Sequence, residues 1–422
     1  MFVIKKIQIT DKNKEILNVD MFDKKEMPIS NNYTTLILGE NGVGKSFLLK
    51  SIIDIFLFLE YAQTPKRKPR YQYENFCIEY QMGSNNYCIV KEVGVGIIAK
   101  KNGYTINYKN IELPKRILAL SFMVNDKFQF TKDNKNDVYI YHGVRSSTNS
   151  TYTSSITRSV VFDLIDCIKY GFLKEIAEIF TILQFDPIVE FETTNGKKEQ
   201  IVEKVQLDTS KDIYFGDYNK WHYPTIYFYK NSKRISFDSC SSGEKHLLFA
   251  YLGILSRIND RTLILIDEPE ISLHPEWQIK YISTLKKLFG KYKDCHFILA
   301  SHSHYFVSEL KAESSAIVVL RENDNLISGP PKAELIPYDT YAWSAENIIY
   351  NVFGIRTTRN YYFECDLSFL IQSLESFDRS EEKKREIEKQ INKLKKYVYH
   401  SNDPLNKLIE EAEDKIRWWK KN

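Results

Sequence analysis

The chain has 422 residues, with 59 Lys and Arg, 55 Asp and Glu, and a formal net charge of +4 at pH 7. The hydrophobic share of 43 % predicts a packed globular protein and excludes a largely disordered chain. Because the charges nearly balance, composition alone predicts no strong field for a polyanion such as DNA. The length exceeds one ordinary core, so we expect two lobes or two domains.

The spacing of the cysteines and the length of the apolar segments indicate the cellular compartment. The six cysteines include no C-x-x-C pair, which argues against a structural zinc site or a disulfide framework and favours a reducing compartment. The start MFVIKKIQIT alternates like a strand and lacks the apolar centre of a signal peptide. No run approaches the ~20 apolar residues that a membrane span needs. We therefore expect a cytoplasmic protein with no membrane partner.

The first predicted elements are strands and one long helix. FVIKKIQIT and YTTLILGE have strand patterns, and KSFLLKSIIDIFLFLEYA predicts a helix. TPKRKPRYQ contains two prolines and a basic cluster, which is typical of an exposed loop. Short β-rich pieces separated by turns follow, and they predict an antiparallel β lobe at about 70–145.

The second half predicts helices, buried strands and a helical tail. A polar loop and a long helical stretch predict a helical lobe at about 150–240. RTLILIDEPE and DCHFILASHSHYF read as buried strands on either side of a helix, and this alternation predicts a parallel sheet with helices outside. Two apolar stripes at helical spacing end the chain. We expect an α/β domain over 1–335 and a helical oligomerisation or partner-binding region over 336–422.

The segment GENGVGKS matches the phosphate-binding pattern G-x-x-x-x-G-K-[ST] in full. It follows a predicted strand and precedes a predicted helix, so backbone N–H groups and the helix N-terminus can surround phosphates. Lys45 is expected to reach the β- and γ-phosphates, and Ser46 to ligate Mg²⁺. The predicted nucleotide-binding residues are Gly39, Glu40, Asn41, Gly42, Val43, Gly44, Lys45, Ser46 and Phe47.

Two later strands end in residues that suit hydrolysis. Asp267 follows TLILI and is expected to hold Mg²⁺, while Glu268 is placed to polarise an attacking water. His302 follows FILAS and is expected to contact the γ-phosphate. His304 is a competitor nearer the surface. Glu268 and His302 are the predicted catalytic residues.

SFDSCSSGEKHLLFAYLGIL supplies a further motif shortly before the Asp267 strand. With its small polar residues and one glycine before a helix, it resembles the L-S-G-G-Q signature of the ABC ATPase superfamily, although Cys240 replaces the leading Leu and Ser242 the first Gly. The resemblance implies an ABC-type P-loop NTPase head that binds ATP and Mg²⁺. In that family the signature contacts the γ-phosphate held by a second subunit. It therefore implies an ATP-sandwiched homodimer or higher homo-oligomer through Ser241, Ser242, Gly243 and Glu244.

The family's Q-loop is expected in ALSFMVNDKFQF, with Asn125 and Gln129 as its candidates. The run DEPEISLHP resembles RecF, SMC and OLD-like heads, and the long spacing from P-loop to signature argues against a transporter ATPase. No long coiled coil, Toprim D-x-D pair or HNH pattern is seen. The tail YDTYAWSAENIIYNVFGIRTTRN resembles defence ATPases of the Septu and retron-associated PtuA type and the PARIS ATPase.

The sequence is compatible with two functions. The first is a slow ATPase scaffold that senses infection and restrains or activates a separately encoded nuclease or toxin. The second is a RecF-like DNA-repair ATPase that clamps duplex DNA, and it depends on the basic loop as a DNA contact. A solvated surface is the simpler interpretation of that loop, whose basic residues are Lys66, Arg67, Lys68 and Arg70.

Overall fold

The computed structural model describes the chain except residues 23–30, 65–72, 132–136, 146–151, 195–199, 208–214, 324–328, 338–339, 354–359, 376–379, 398–404 and 422. The chain divides into two compact units, Met1–Ile348 and Ile349–Asn422. None of the helices among the described residues combines the length and apolarity needed to span a bilayer.

The elements of the first unit begin with strands on both sides of one long helix. In chain order they are β1 Val3–Asp11, β2 Lys14–Asp20, β3 Asn32–Gly39, α1 Lys45–Gln63, β4 Asn75–Met82, β5 Asn85–Glu92, β6 Gly96–Lys101, β7 Tyr104–Ile106, β8 Arg116–Ser121 and β9 Tyr139–Gly143.

The remaining elements alternate helices and strands and then become helical. They are α2 Tyr152–Lys169, α3 Leu173–Ile182, β10 Ile188–Thr194, β11 Gln200–Gln206, β12 His222–Lys230, β13 Lys233–Ser236, α4 Ser242–Leu255, β14 Thr262–Asp267, α5 Pro275–Phe289, β15 Cys295–Ser301, β16 Ser315–Arg321, β17 Lys332–Leu335, α6 Ala345–Asn351, α7 Tyr361–Glu375, α8 Glu381–Lys395 and α9 Leu405–Lys421.

A seven-stranded sheet in the order β17-β16-β3-β15-β14-β8-β9 forms the centre of the first unit. All its neighbours are parallel except β16 and β17. Every residue of β14 and β15 is buried, as expected for strands covered on both faces. In register, Asp267 pairs with Ala300 and Ser301 pairs with Leu38, so β3, β14 and β15 end level at one edge. The expected α/β class with a mixed, mainly parallel sheet is confirmed.

The antiparallel sheet differs from the β lobe expected at about 70–145. Its order is β2-β1-β4-β5-β6-β7, so the N-terminal hairpin joins strands from the later segment. β8 and β9 lie in that segment but pair parallel with β14 and with each other in the central sheet. The reason is burial, since β8 is almost wholly buried whereas β4 and β5 alternate. Helix α1 contributes to a core shared by both sheets.

The segment expected as a helical lobe at about 150–240 is part helix and part sheet. Helices α2 and α3 are followed by an antiparallel sheet in the order β11-β10-β12-β13. β10 pairs with both β11 and β12, and its inward residues Val189 and Phe191 are fully buried. On β10, apolar Val189 and Phe191 alternate with Glu190 and Glu192, a period-2 pattern typical of a strand.

The first unit extends beyond the boundary expected at residue 335. Ile336 donates its N–H to the carbonyl of Ile317, and the Thr340 hydroxyl donates to the carbonyl of Val307. These bonds hold the chain to the first unit. Helices α7, α8 and α9 of the second unit bury their own apolar cluster, which includes Ile387, Leu394, Ile409 and Ile416. The apolar stripes predicted at the C-terminus therefore form a core of their own.

Candidate nucleotide-binding site

Glycine conformations shape the loop between β3 and α1. Gly42 and Gly44 have φ values of 83° and 108°, in the left-handed region that side chains with a Cβ rarely adopt. Gly44 is the N-cap of α1, so the loop leads directly into the helix N-terminus. This is the strand–loop–helix arrangement that the GENGVGKS motif predicts, and its free N–H groups favour an anion.

Lys45 is buried at the edge of the central sheet. Its Nζ donates to the carbonyls of Gly39 and Glu40, both at 3.0 Å, and lies 2.8 Å from Nε2 of His302. Burial lowers the pKa of Lys45, and the nearby charges of Glu268 and other acids oppose that shift. A buried ammonium in a loop of left-handed glycines is suited to phosphate oxygens.

Ser46 and Asp267 bring hard oxygen donors together. The Ser46 hydroxyl donates to Oδ1 of Asp267 at 3.1 Å, and Asp267 is only 1 % exposed. Burial raises the pKa of Asp267 to about 6, while the Ser46 hydrogen bond opposes the rise and the charge of Glu268 adds to it. A hydroxyl beside a carboxylate is a donor set that Mg²⁺ accepts, so these residues fit the predicted metal.

Glu268 has an unusual backbone conformation immediately after β14. Its φ is 51°, and its N–H donates to the carbonyl of Ala300 at 2.9 Å. A non-glycine residue in this region carries strain, which functional sites often hold. The turn directs Oε1 to within 3.2 Å of Nε2 of His302. The two predicted catalytic side chains are therefore in contact.

His302 lies between the lysine and the glutamate. Its Nε2 is 2.8 Å from Nζ of Lys45 and 3.2 Å from Oε1 of Glu268, and its Nδ1 is 3.3 Å from the same Nζ. The neutral ring with its proton on Nε2 can therefore donate to Glu268 while Nδ1 accepts from Lys45.

Glu270 is a site residue that the sequence reasoning missed. Its Oε1 accepts the backbone N–H of His302 at 2.5 Å, and Oε2 is buried without a hydrogen-bond partner among the described residues. Burial raises the pKa of Glu270, and the hydrogen bond from His302 opposes the rise. The only sequence signal was the second glutamate in DEPE, two residues after Glu268.

The predicted signature forms the N-terminus of α4. The N-cap Ser241 accepts from the N–H of Glu244 at 3.3 Å, while Oε2 of Glu244 accepts from the N–H and hydroxyl of Ser241, both at 2.8 Å. Glu244 also pairs with Lys230. Ser241 and Ser242 are exposed, whereas Gly243 is buried. A Cβ on Gly243 would lie 2.5 Å from Cζ3 of Trp277, so close packing requires the glycine.

The predicted Q-loop residues follow β8. Asn125 is exposed, and the carbonyl of Gln129 accepts from the Tyr139 hydroxyl at 2.7 Å. Between them, the buried carboxylate of Asp126 accepts from the Tyr141 hydroxyl at 2.5 Å. Its charge contributes to the raised pKa of Asp267, after burial and the charge of Glu268. The sequence reasoning missed Asp126, and the Q-loop assignment stays a prediction.

The predicted DNA-contact residues Lys66, Arg67, Lys68 and Arg70 lie outside the described residues. His304 begins a short 3₁₀ helix, and burial lowers its pKa. Its ring lies beside that of Tyr305, with centroids 4.1 Å apart. Of the two histidines considered, His302 is the one in contact with Lys45 and Glu268.

Residues 167–308 match the family model described as "AAA domain, putative AbiEii toxin, Type IV TA system". This range contains the predicted signature, the strand ending at Asp267, and His302. The P-loop precedes it.

Curated relatives match parts of the chain. The "Septu protein PtuA" of Bacillus thuringiensis is 28 % identical over 191 residues, covering 42 % of this chain and 45 % of that protein. The "Retron Vc95 probable ATPase" of Vibrio cholerae is 30 % identical over 100 residues, covering 21 % of this chain and 19 % of that protein. The chain thus spans less than half the length of each of these two relatives.

The SMC head domain from Thermotoga maritima is a structural neighbour. It is 12 % identical, covers 79 % of this chain and 98 % of that domain, and superposes with a TM-score of 0.39. The family model and the curated relatives confirm what the motifs predicted: the chain resembles ABC-like ATPases of the anti-phage defence type.

Proposed function

We propose that the chain binds ATP with Mg²⁺ and hydrolyses it slowly. The observation that carries this proposal is the meeting of Lys45, Ser46, Asp267, Glu268 and His302 where β3, β14 and β15 end. In open α/β sheets, this is the edge where ligands bind.

Each residue has a distinct part in the proposed reaction. Lys45 transfers its hydrogen bonds from the loop carbonyls to phosphate oxygens, and Ser46 and Asp267 hold Mg²⁺. When bound, Mg²⁺ offsets the negative charge of the phosphates. Glu268 orients a water for attack and takes its proton. His302 holds the Glu268 carboxylate in place, and Glu270 fixes the backbone of His302.

The proposal extends to an ATP-sandwiched homodimer or higher homo-oligomer. The exposed start of α4 presents Ser241 and Ser242, where a hydroxyl and the helix dipole can meet the γ-phosphate held by another copy. In this arrangement the assembly senses infection and controls a separate nuclease or toxin. The resemblance to Septu and retron proteins supports that role.

A mutant pair tests the ATPase proposal. Glu268→Gln is expected to bind ATP and Mg²⁺ as the wild type does but to hydrolyse it about 100-fold more slowly, because the base is lost. Lys45→Ala is expected to lose ATP affinity. Phosphate release and equilibrium binding of labelled ATP separate the two effects. Wild-type turnover by Glu268→Gln, or unchanged affinity in Lys45→Ala, contradicts the proposal.

The effector role needs its own experiment. The protein, expressed with the neighbouring genes of its native locus, should co-purify with a nuclease or toxin and suppress that partner's toxicity. Glu268→Gln should alter this restraint, while an active-site variant of the partner should still bind. The effector role is ruled out if no product of the neighbouring genes binds the chain or changes its ATP turnover. The DNA-clamp alternative would be favoured by ATP-dependent binding of duplex DNA that depends on the basic loop residues Lys66, Arg67, Lys68 and Arg70.

A further inference from the structure

Three groups with metal-ligand chemistry converge on the antiparallel sheet. Cys77 and Glu79 lie two residues apart on β4, so they face the same side. Cys88 on β5 lies directly opposite Glu79 in the register. One ligand atom from each residue, two sulfurs and a carboxylate oxygen, lies within 4.8 Å of the others.

Core packing does not account for these residues. The alternate residues Ile78, Tyr80, Tyr87 and Ile89 of the same two strands are buried in the core shared with α1. Cys77, Glu79 and Cys88 are on the opposite face and are partly exposed. Their side chains are therefore accessible to an ion from solvent.

The register disfavours a disulfide between the two cysteines. Cys77 pairs with Val90, and Cys88 pairs with Glu79, so the cysteines are diagonal neighbours. Diagonal Cα atoms in an antiparallel pair are about 7–8 Å apart, whereas disulfides usually need about 4.4–6.8 Å. The two sulfurs lie within 4.8 Å of each other. This placement suits two sulfurs that share one ion.

Lysines on the neighbouring strands flank the cluster. Lys6 on β1 is opposite Glu79, and its Nζ lies 3.3 Å from Oδ1 of Asp20, whereas Lys100 on β6 is opposite Cys88. A cation would therefore be held by the convergence of the three ligand atoms.

We propose that Cys77, Glu79 and Cys88 form a binding site for a thiophilic divalent cation, with Zn²⁺ as the ion that best suits its ligands. Zn²⁺ accepts thiolate and carboxylate ligands in a tetrahedral arrangement, and three protein ligands leave the fourth position for water. On binding, each thiol forms a bond to the metal and releases its proton to solvent. The site would join β4 to β5 without using any residue of the nucleotide site.

Metal titration of the full-length protein tests this site. After EDTA treatment and dialysis under reducing conditions, Co²⁺ is added as a spectroscopic probe and Zn²⁺ then competes with it. We expect one equivalent of Co²⁺ to give thiolate-to-metal charge-transfer absorption, which Zn²⁺ abolishes. Because the oxygen ligands of Ser46 and Asp267 give no such band, the signal is independent of the nucleotide site.

Four variants assign the ligands. Cys77→Ser and Cys88→Ser should each weaken Zn²⁺ binding at least about tenfold, since loss of even a supporting residue has that effect. Glu79→Gln should weaken binding while keeping the charge-transfer band. Cys365→Ser, at an exposed cysteine in the other unit, is the matched control and should bind as the wild type does.

Thermal unfolding checks that the variants are folded. The metal-free serine variants should melt with the metal-free wild type, and only the Zn²⁺-dependent rise in Tm should be lost. The proposal is overturned if wild-type protein shows no thiolate band or if Cys77→Ser/Cys88→Ser binds Zn²⁺ equally well. A Cys77–Cys88 disulfide in the metal-free protein, detected as a loss of two hydrogens by mass spectrometry, would also overturn it.

Discussion

The amino group of Lys45 lies 2.8 Å from Nε2 of His302, across 257 residues of sequence. The same nitrogen lies 3.2 Å from Glu268 Oε1, so the lysine proposed to bind phosphate and the proposed base are linked through one imidazole. In the proposed reaction, Lys45 turns to a phosphate oxygen while His302 keeps its hydrogen bond to Glu268.

His302→Ala is expected to lower kcat at least about tenfold while changing ATP affinity little, because the group that holds Glu268 is lost. Single-turnover hydrolysis and equilibrium ATP binding measure the two effects. His304→Ala is the matched control, and we expect it to keep wild-type turnover. Equal losses in both variants would mean that local folding, and not the contact with Glu268, is responsible.

Ser241→Arg is expected to prevent ATP-dependent oligomerisation without weakening ATP binding to a single chain. A long cation at the start of α4 disrupts the capping box and blocks the approach of a second copy. Light scattering with and without ATP, in the Glu268→Gln background, reports the assembly. Ser283→Arg, at an exposed serine of α5, is the control. Normal assembly of Ser241→Arg would exclude a signature contact between copies.

Gly243→Ala is expected to destabilise the protein by about 1–3 kcal/mol, although alanine usually stabilises a helix. The added methyl would meet Trp277 at 2.5 Å and the carbonyl of Ser272 at 3.1 Å. Chemical denaturation measures the loss in the free energy of unfolding. In the Trp277→Ala background this loss should be smaller, because the indole ring is absent. An equal cost in both backgrounds would show that Trp277 does not cause the strain.

Asp267→Asn is expected to stabilise the metal-free protein at pH 7.5. The pKa of Asp267 rises from 3.8 to about 6 on folding, chiefly through burial. A raised carboxyl pKa means that the native state binds more protons, so stability falls as pH rises from about 4 to 6. The stabilisation at pH 7.5 should be about 3 kcal/mol and about half that at pH 5.

Chemical denaturation of the metal-free protein at pH 7.5 and pH 5 checks whether Asp267→Asn stabilises it and whether the effect grows with pH. Asp238→Asn changes an exposed carboxyl group and serves as the control. Destabilisation by Asp267→Asn at pH 7.5 would mean that the Ser46 hydrogen bond outweighs burial of the charge.

Contiguous motifs account for the parts of the site that the sequence predicts well. GENGVGKS and LIDEPE each carry their own strand and turn, so Lys45, Asp267 and Glu268 could be assigned roles from local pattern alone. Glu270 and Asp126 were missed because their importance depends on which backbone and charge they meet in space. Cys77, Glu79 and Cys88 were missed for the same reason, since only strand pairing brings them together.

The fold shows the same division between local and distant information. Buried runs predict the central sheet, but the second partner of β1, besides β2, is β4, which follows β3 and α1 in the chain. No local pattern reports that pairing, so the N-terminal hairpin could not be assigned to the antiparallel sheet. Strands β10 and β11 were obscured in a segment that begins with two strong helices.

The position of β3 in the central sheet bears on synthesis of the chain. The strand that carries the P-loop has β15 on one side and β16 on the other. Both neighbours are translated long after it, since β16 ends at Arg321. A nascent chain holds its phosphate loop on an unpaired strand until then, because distant strands must be joined late. The proposed nucleotide site can therefore form only after the ribosome has translated β15 and β16.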